Sequence, residues 1–358
     1  MTWEGRKARK LGNIRGLRRS HVSKHQETPY HRYNQAMTTL FRDVTGQPVI
    51  GPAGSVVCIG AFDGPHRGHQ ALIEHTRLRA RAANLSLVAL SFEPLPREFF
   101  SKELPPPRLL LPRAKFEGLA ALGCDVVGLL RFNAALSSMS AEDFVERVLV
   151  RKLNVKEVWV GPEFRFGKGR RGDIAMLQTL GVEFGFTAHE ITPILHEGER
   201  VSSTRLRLQL SSGDMDGAEK SLGHRYAIAG KVVYGRQLGR KLGYPTANIR
   251  LAGKRTALHG IYATWVHGVG PEKMASVSSL GTRPTVFGIE PLLEAHLFDF
   301  NGDLYGKRIT VEFVAKLRDE EKFDDLPALI RQMDLDSLQA RKILQHDKND
   351  KKDLGVSA

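Results

Sequence analysis

The feature that most constrains this chain is a change of texture near residue 222. Between residue 55 and about residue 190, short apolar runs alternate with helical patterns. The runs are Ser55–Ala61, Leu85–Phe92, Asp125–Leu130, Glu157–Val160 and Phe186–Ile191. Helical stretches near 68–83, 112–122, 140–151 and 173–182 separate them. Strands spaced by helices of this length imply βαβ units, and so a parallel sheet with connections of one hand. Beyond residue 222 the helical spacing gives way to strand-like runs broken by Gly/Pro turns, among them "GIYATWVHGV", "PLLEAHLFDF" and "KRITVEFVAKLR". Runs at that spacing suggest a sandwich or barrel, closed here by one helical stretch at about 324–345. The expected fold is therefore α/β over 37–222 followed by all-β over 223–345, with a polar tail over 346–358 and no internal repeat.

Charge separates the ends from the body. The 358 residues carry a formal net charge of +14. In residues 1–36, nine Lys/Arg oppose only Glu4 and Glu27, a net +7 that is half of the total. That segment has little apolar periodicity and reads as disordered. Two origins fit it equally: a tail that meets a polyanion, or Met37 as the true first residue. The other half of the charge suits an enzyme of phosphorylated substrates. With no recognised nucleic-acid-binding motif beside it, a nucleic-acid partner is not expected. No apolar run approaches ~20 residues, and no apolar core followed by small residues opens the chain, so neither a membrane span nor a secretory signal is expected. Cys58 and Cys124 each lie in an apolar, strand-like run and read as buried free thiols of a cytoplasmic protein.

Two short stretches carry candidate chemistry. The first, "IGAFDGPHRGHQ" over 59–70, stands between a strand and a helix, at the end of a parallel strand where such sheets bind ligands. A phosphate sits well at a helix N-terminus, where unpaired N–H groups and the dipole meet it. Gly64 and Gly68 let the backbone approach closely, and His66 and His69, three apart, place both rings on one side. A plain turn with two surface histidines would use the same letters; the flanking strand, helix and glycines favour the phosphate. The second stretch is "GRKLGYPTAN" over 239–248. Pro245 fixes its own φ, and Thr246 and Asn248, two apart, share one side of an extended segment. Their oxygens are hard donors suited to Mg²⁺ shared with phosphates, although a turn with a capping Asn reads the same way. Glu294 stands among apolar residues in "PLLEAHLFDF", in line with His296, where a carboxylate is paired, outward-facing or catalytic.

The longer pattern "GAFDGPHRGHQALI" resembles the His-x-Gly-His signature of the nucleotidylyltransferase superfamily. It is similar in particular to bacterial bifunctional riboflavin kinase/FAD synthetases, as are "LSFEPLPREFF", "VGPEFRFGKGRRGD" and "VSSTRLR" in that order. Residues 223–345 resemble the riboflavin kinase module through "GYPTAN", "GIYAT", "SLGTRPT", "LEAHLFDF", "DLYGKRI" and "KLRDEEKF". The resemblance implies a Rossmann-like nucleotidylyltransferase domain and a β-barrel with a C-terminal helix. It implies that His66 and His69 hold ATP phosphates for adenylyl transfer, with Phe62, Asp63, Gly64 and Gly68 shaping the turn. Ser203, Thr204 and Arg207 would bind phosphate from a second loop. Glu163, which stands where the family usually has Asp, would contact flavin or metal. In the second module Gly239, Gly243 and Pro245 would border ATP, Thr246 and Asn248 would hold Mg²⁺, Glu294 would act as general base, and Arg318 would orient the flavin. Riboflavin, FMN and ATP are the implied partners; self-association is left open.

Overall fold

The structure, a computed structural model, describes residues 38–193, 195–196, 198–235, 239, 242–285 and 288–353. The basic segment 1–36 lies outside them.

The first half builds one parallel sheet from β1 (Thr39–Phe41), β2 (Ser55–Ile59), β3 (Ser86–Glu93), β4 (Val126–Arg131), β5 (Val155–Val160) and β6 (Thr187–Glu190). Their order is β1-β4-β3-β2-β5-β6, and every pair runs parallel. Helices α1 (Arg67–Ala82), α2 (Pro112–Ala121) and α3 (Ile174–Phe184) connect the strands. Covered on both faces, β2 reads as an unbroken apolar run. Val57 and Ile59 pack with Val148, Leu149 and Leu177 on one face, while Val56 and Cys58 pack with Leu72, Ile73 and Leu119 on the other. Both cysteines are buried and free, and burial pushes the Cys58 thiol up to about 12. The five expected strands are present. The sixth, β1, has three residues, too few for a period to register, and adds to the edge through Thr39↔Val126. The stretch expected as one helix over 140–151 starts as α at Ala141–Phe144 and continues as π over Val145–Lys152.

A small hairpin, β7 (Leu195–His196) with β8 (Glu199–Arg200), leads to α4 (Ser203–Ser212) and α5 (Met215–Leu222). The second half is a closed antiparallel barrel of β9 (Ala227–Val233), β10 (Ala247–Ile249), β11 (Gly260–His267), β12 (Met274–Thr285), β13 (Gly288–Leu297) and β14 (Arg308–Arg318). Its interior holds Tyr262, Val266, Leu280, Leu293, Leu297 and Phe313. Leu109, Leu206, Leu210 and Leu222 belong to the same apolar cluster, so the two halves share a core. Polar contacts fasten the seam. Tyr226 donates its hydroxyl to the Leu109 carbonyl at 2.9 Å, the Arg108 N–H donates to the Arg255 carbonyl at 2.8 Å, and Arg308 pairs with Glu117 at 2.6 Å.

The last helix, α6 (Leu326–Asp353), packs Ala340 and Leu344 against Ala263, Trp265 and Phe298 on the outer barrel wall. It runs past residue 345 into the stretch read as a tail. Asp347 explains the difference: its carboxylate accepts from the Trp265 indole at 2.8 Å and from Arg225, which anchors that turn of the helix to the barrel.

Candidate active sites

Where β2 ends, the chain makes a tight turn before α1. Phe62, at φ 45°, and Gly64, at φ 66°, both take left-handed backbone. A Cβ on Gly64 would meet Leu109 and Leu206 atoms at 2.9–3.2 Å, so glycine is required there on both counts. Phe62 is fully buried and meets the His69 ring edge-on, with centroids 5.2 Å apart. A non-glycine outlier at a candidate site is a place where strain is kept for geometry.

His66 caps α1, its Nδ1 accepting from the His69 N–H at 3.4 Å, so the ring's proton belongs on Nε2. His69 presents Nδ1 to the Gly64 carbonyl at 3.4 Å, a partner that only accepts, so Nδ1 carries its proton. The two rings stack with centroids 3.8 Å apart. Burial, and then each other's proximity, holds His66 far below its ordinary pKa. Burial also lowers His69, to about 4, with Lys115 and Arg97 adding to the effect against the Gly64 carbonyl and Asp63. Both rings are therefore neutral near pH 7.

Asp63 is fully buried and frames the turn. One oxygen accepts from the N–H groups of Leu109 and Leu110, both at 3.1 Å; the other takes Arg207 and, at 3.4 Å, Arg97. The Ser202 hydroxyl caps α4, while Ser203 donates to the Asp63 carbonyl at 2.8 Å and Thr204 is exposed. Arg207 is turned inward: Nε donates to the Pro107 carbonyl at 2.7 Å and Nη1 to the Ser203 carbonyl at 3.0 Å, besides Asp63. Its fork thus ties the second loop to the turn. Glu163, at φ 63° on an exposed loop after β5, lies 3.5 Å from Arg200 of β8. Sequence reasoning missed Arg97, Arg108 and Lys115, which surround the same turn. A lysine in the buried stripe of "PRAKFEGLAA", beside Ala114, Gly118 and Leu119, was the signal available for the last.

The second site lies on the outer face of the barrel. Asn248 of β10 is directly opposite Glu294 of β13, and the neighbouring Ala247 and Ala295 belong to the interior cluster. Alternation turns Asn248, Glu294 and His296 away from the barrel interior, and Met333 and Asp336 of α6 cover Glu294 and His296 there. The Thr246 hydroxyl is 3.5 Å from Glu294 Oε1. The preceding turn is fixed by the Tyr244 N–H donating to the Gly239 carbonyl at 2.8 Å; a Cβ on Gly239 would stand 2.2 Å from the Tyr244 carbonyl oxygen. Gly243 follows at φ 83°, and the Pro245 carbonyl accepts from His296 Nδ1 at 2.9 Å.

Two cavities meet at Thr246. One, of about 530 Å³, is bordered by Tyr234, Pro245, Thr246, Asn248, Asp303 and Tyr305. The other, of about 270 Å³, lies between Thr246, Glu294, Arg318 and Phe323 on the barrel side and Met333 and Asp336 of α6. Arg318 forms a paired bridge to Asp336, with Nε and Nη2 at 2.9 and 2.7 Å from its carboxylate, and lies over the Phe323 ring. Among the described residues no group of three or more His, Cys, Asp or Glu could hold a metal. Hydroxyl, amide and carboxylate oxygens side by side fit a hard divalent cation that takes its remaining ligands from phosphates and water.

A histidine turn at the end of a parallel strand, and a cluster of oxygen donors between two cavities on a barrel wall, are the two candidate centres of the molecule. Residues 51–205 match the family model for FAD synthetase and residues 222–344 that for riboflavin kinase. The chain is 42% identical over 289 residues to the Escherichia coli K12 bifunctional riboflavin kinase/FMN adenylyltransferase, covering 81% of this chain and 92% of that one. It is 44% identical over 291 residues to the Pseudomonas fluorescens protein of the same description, with 81% and 93% covered. Among solved structures, a Streptococcus pneumoniae chain described as a macrolide-efflux protein superimposes with a TM-score of 0.70 at 30% identity, over 85% of this chain and 98% of that one. No helix among the described residues is long and apolar enough to cross a membrane. The chain belongs to the bifunctional riboflavin kinase/FMN adenylyltransferase family: it phosphorylates riboflavin and adenylylates the product.

Proposed function

We propose that the two reactions occupy the two sites separately, with ATP reacting at opposite ends. On the barrel, the larger cavity takes ATP and the smaller takes riboflavin. Glu294 accepts the proton of the ribityl 5′-hydroxyl as its oxygen bonds to the γ-phosphorus and the bond to ADP breaks, giving FMN. Thr246 and Asn248 would hold Mg²⁺ against the phosphates, and that ion, when bound, neutralises charge on the transferring group. Gly239, Gly243 and Pro245 keep the backbone close to the nucleotide, and Arg318, braced by Asp336, orients the flavin.

At the parallel sheet, a phosphate oxygen of FMN attacks the α-phosphorus of a second ATP, and pyrophosphate leaves. No covalent enzyme intermediate is needed, so positioning and charge carry the catalysis. His66 donates from Nε2 to a phosphate oxygen. His69 does the same once the triphosphate's charge has drawn a proton onto its Nε2. Ser203 and Thr204 add hydroxyl donors, Arg207 with Asp63, Phe62, Gly64 and Gly68 sets the turn, and Glu163 faces the flavin end.

The observation that carries the kinase reading is the position of Thr246. It borders both cavities and stands 3.5 Å from Glu294, so a nucleotide's phosphate end and a base meet at one point. The test is incubation of riboflavin with ATP while Mg²⁺ is titrated from zero, with the flavins separated by chromatography. FMN and then FAD are expected only with metal. His69→Ala should stop the sequence at FMN; arrest at riboflavin instead would overturn the two-site assignment.

A further inference from the structure

The histidine turn is built over an interior that holds more positive charge than negative. Lys115, fully buried on α2, points its ammonium at the carboxyl end of β3. Nζ lies 3.2 Å from the Phe92 carbonyl, 3.5 Å from the Ser91 hydroxyl and 3.5 Å from Glu93 Oε2. Ser91 in turn donates to the Ala61 carbonyl at 2.9 Å, the residue before Phe62. Arg108, also buried, pairs with Glu93 and lies 3.3 Å from Glu98, and its Nε has no hydrogen-bond partner among the described residues. Arg97 and Arg207 stand on Asp63. Lys254 stands 3.3 Å from Glu98 as well, so five cations face three carboxylates around one turn.

Burying an ammonium is costly, and an apolar side chain of the same length would fill the space without that cost. Pairing with Glu93 is a structural role that Arg108 already fills, so it gives no reason for a second buried cation. An anion arriving at the turn does, because a fixed cation beneath it is worth more in a dry interior than at the surface. We propose that Lys115 is a positioning residue for adenylyl transfer: through Ser91 and Ala61 it pins the histidine turn, and its charge supports the triphosphate seated above. The proposal rests on the assignment of ATP to that turn. Its chemistry is electrostatic only; Lys115 neither forms nor breaks a bond.

Burial lowers the Lys115 pKa to about 8, against the pull of Glu93 and Asp63 and with Arg108 adding to the fall. The charged groups facing it are Glu93 on β3, Arg108 on the segment before α2, and Asp63 and His69 on the turn; Glu98, Arg97 and Arg207 stand behind them. Since kcat/KM reports the free enzyme, adenylyl transfer should lose kcat/KM as pH rises through about 8 while the kinase reaction does not.

The experiment measures both reactions of the full chain from pH 6.5 to 9.5 for the native protein, Lys115→Met and Lys115→Arg, with FMN supplied for the second reaction. Expected for Lys115→Met is roughly a 10²-fold loss of adenylyl kcat/KM, much of it in the KM for ATP, and no alkaline limb, with kinase activity within about twofold. Lys115→Arg should restore activity and move the limb to higher pH. Kinase activity reports that the chain is folded; should both variants fail to fold, the native pH profile alone decides. Adenylyl transfer flat across pH 8 in the native protein, or native kinetics in a folded Lys115→Met, overturns the role of Lys115. Loss of the kinase together with the transferase in a variant that still melts as the native chain does, or an unaltered FMN-to-FAD step in His69→Ala, would instead overturn the site assignment beneath it.

Discussion

The two sites reach preorganisation by opposite routes. The histidine turn proposed for adenylyl transfer is held from below: Asp63 is fully buried, two backbone N–H groups and two arginines converge on it, and the rings above it are desolvated. The site proposed for the kinase is a barrel wall covered from above. Glu294 and Asn248 sit on an antiparallel ladder, and α6, fastened nearby through Arg318–Asp336 and Tyr244–Asp334, closes the cavity on its far side. A turn that is to hold a triphosphate works best with its donors fixed beforehand. A pocket that closes over a planar ring needs a wall and a lid. Errors in the turn should therefore appear as lost stability and rate together, errors in the wall as lost rate alone, and errors in the lid as lost substrate affinity.

The strongest test of this contrast lies on the wall. Glu294→Gln keeps shape and removes the proton acceptor. Kinase kcat should fall about 10²–10⁴-fold, with FMN adenylylation and the melting temperature unchanged. Paired assays on riboflavin and on supplied FMN read it directly. Asp63→Asn asks the reverse question at the turn. It leaves Arg207 and Arg97 facing a neutral amide in the interior, a change expected to cost about 3–5 kcal/mol and to lower the melting temperature by roughly 10 °C, with adenylyl transfer lost. A melting curve that does not move would mean the turn is not held by that carboxylate.

Asp336→Asn should act more gently, on the lid. Arg318 keeps a hydrogen bond but loses its paired charge, so kcat/KM for riboflavin should drop about tenfold, mainly through KM, while adenylyl transfer stays native. If both reactions slowed equally, α6 would be bracing the whole molecule rather than one cavity.

The pH dependence of folding separates the two regions again. His69 is held near 4 in the folded chain, below its ordinary 6.5, so folding favours the neutral ring. As pH falls below about 6.5 the unfolded chain takes up a proton that the folded chain refuses, and stability declines until about pH 4. Denaturant midpoints should fall across that window; His66, held lower still, adds to the same slope, so His69→Asn should reduce the slope without removing it. Glu294→Gln should leave the slope as it is.

How far the sequence showed this depends on which residues act locally. The parallel strands are legible because runs such as "SVVCI" are apolar on both faces, and the histidine turn because its glycines and histidines are neighbours in the chain. The outward direction of Glu294 follows from strand alternation; the helix that covers it comes from residues some forty positions later and leaves no mark on that strand. Arg207 suggests a phosphate fork when read alone, yet its partners are Asp63 and Pro107, more than ninety-nine residues upstream. Asp347 sits in a charged stretch that looks solvated until Arg225 and Trp265 are brought beside it. What stayed hidden in each case is a polar group satisfied by a distant partner, which no local period encodes.

The seam between the regions gives the smallest expected effect and the sharpest limit on the comparison. The Tyr226 hydroxyl reaches the carbonyl of Leu109, whose own N–H is held by Asp63. Tyr226→Phe removes that hydrogen bond and leaves the ring packed, so about 1 kcal/mol should be lost. The melting temperature should fall by roughly 2–4 °C. If the turn depends only on its own carboxylate, both activities will stay native. If the adenylyl rate alone drops, the barrel is helping to hold the turn through Leu109, and the two sites are less independent than their separate pockets suggest.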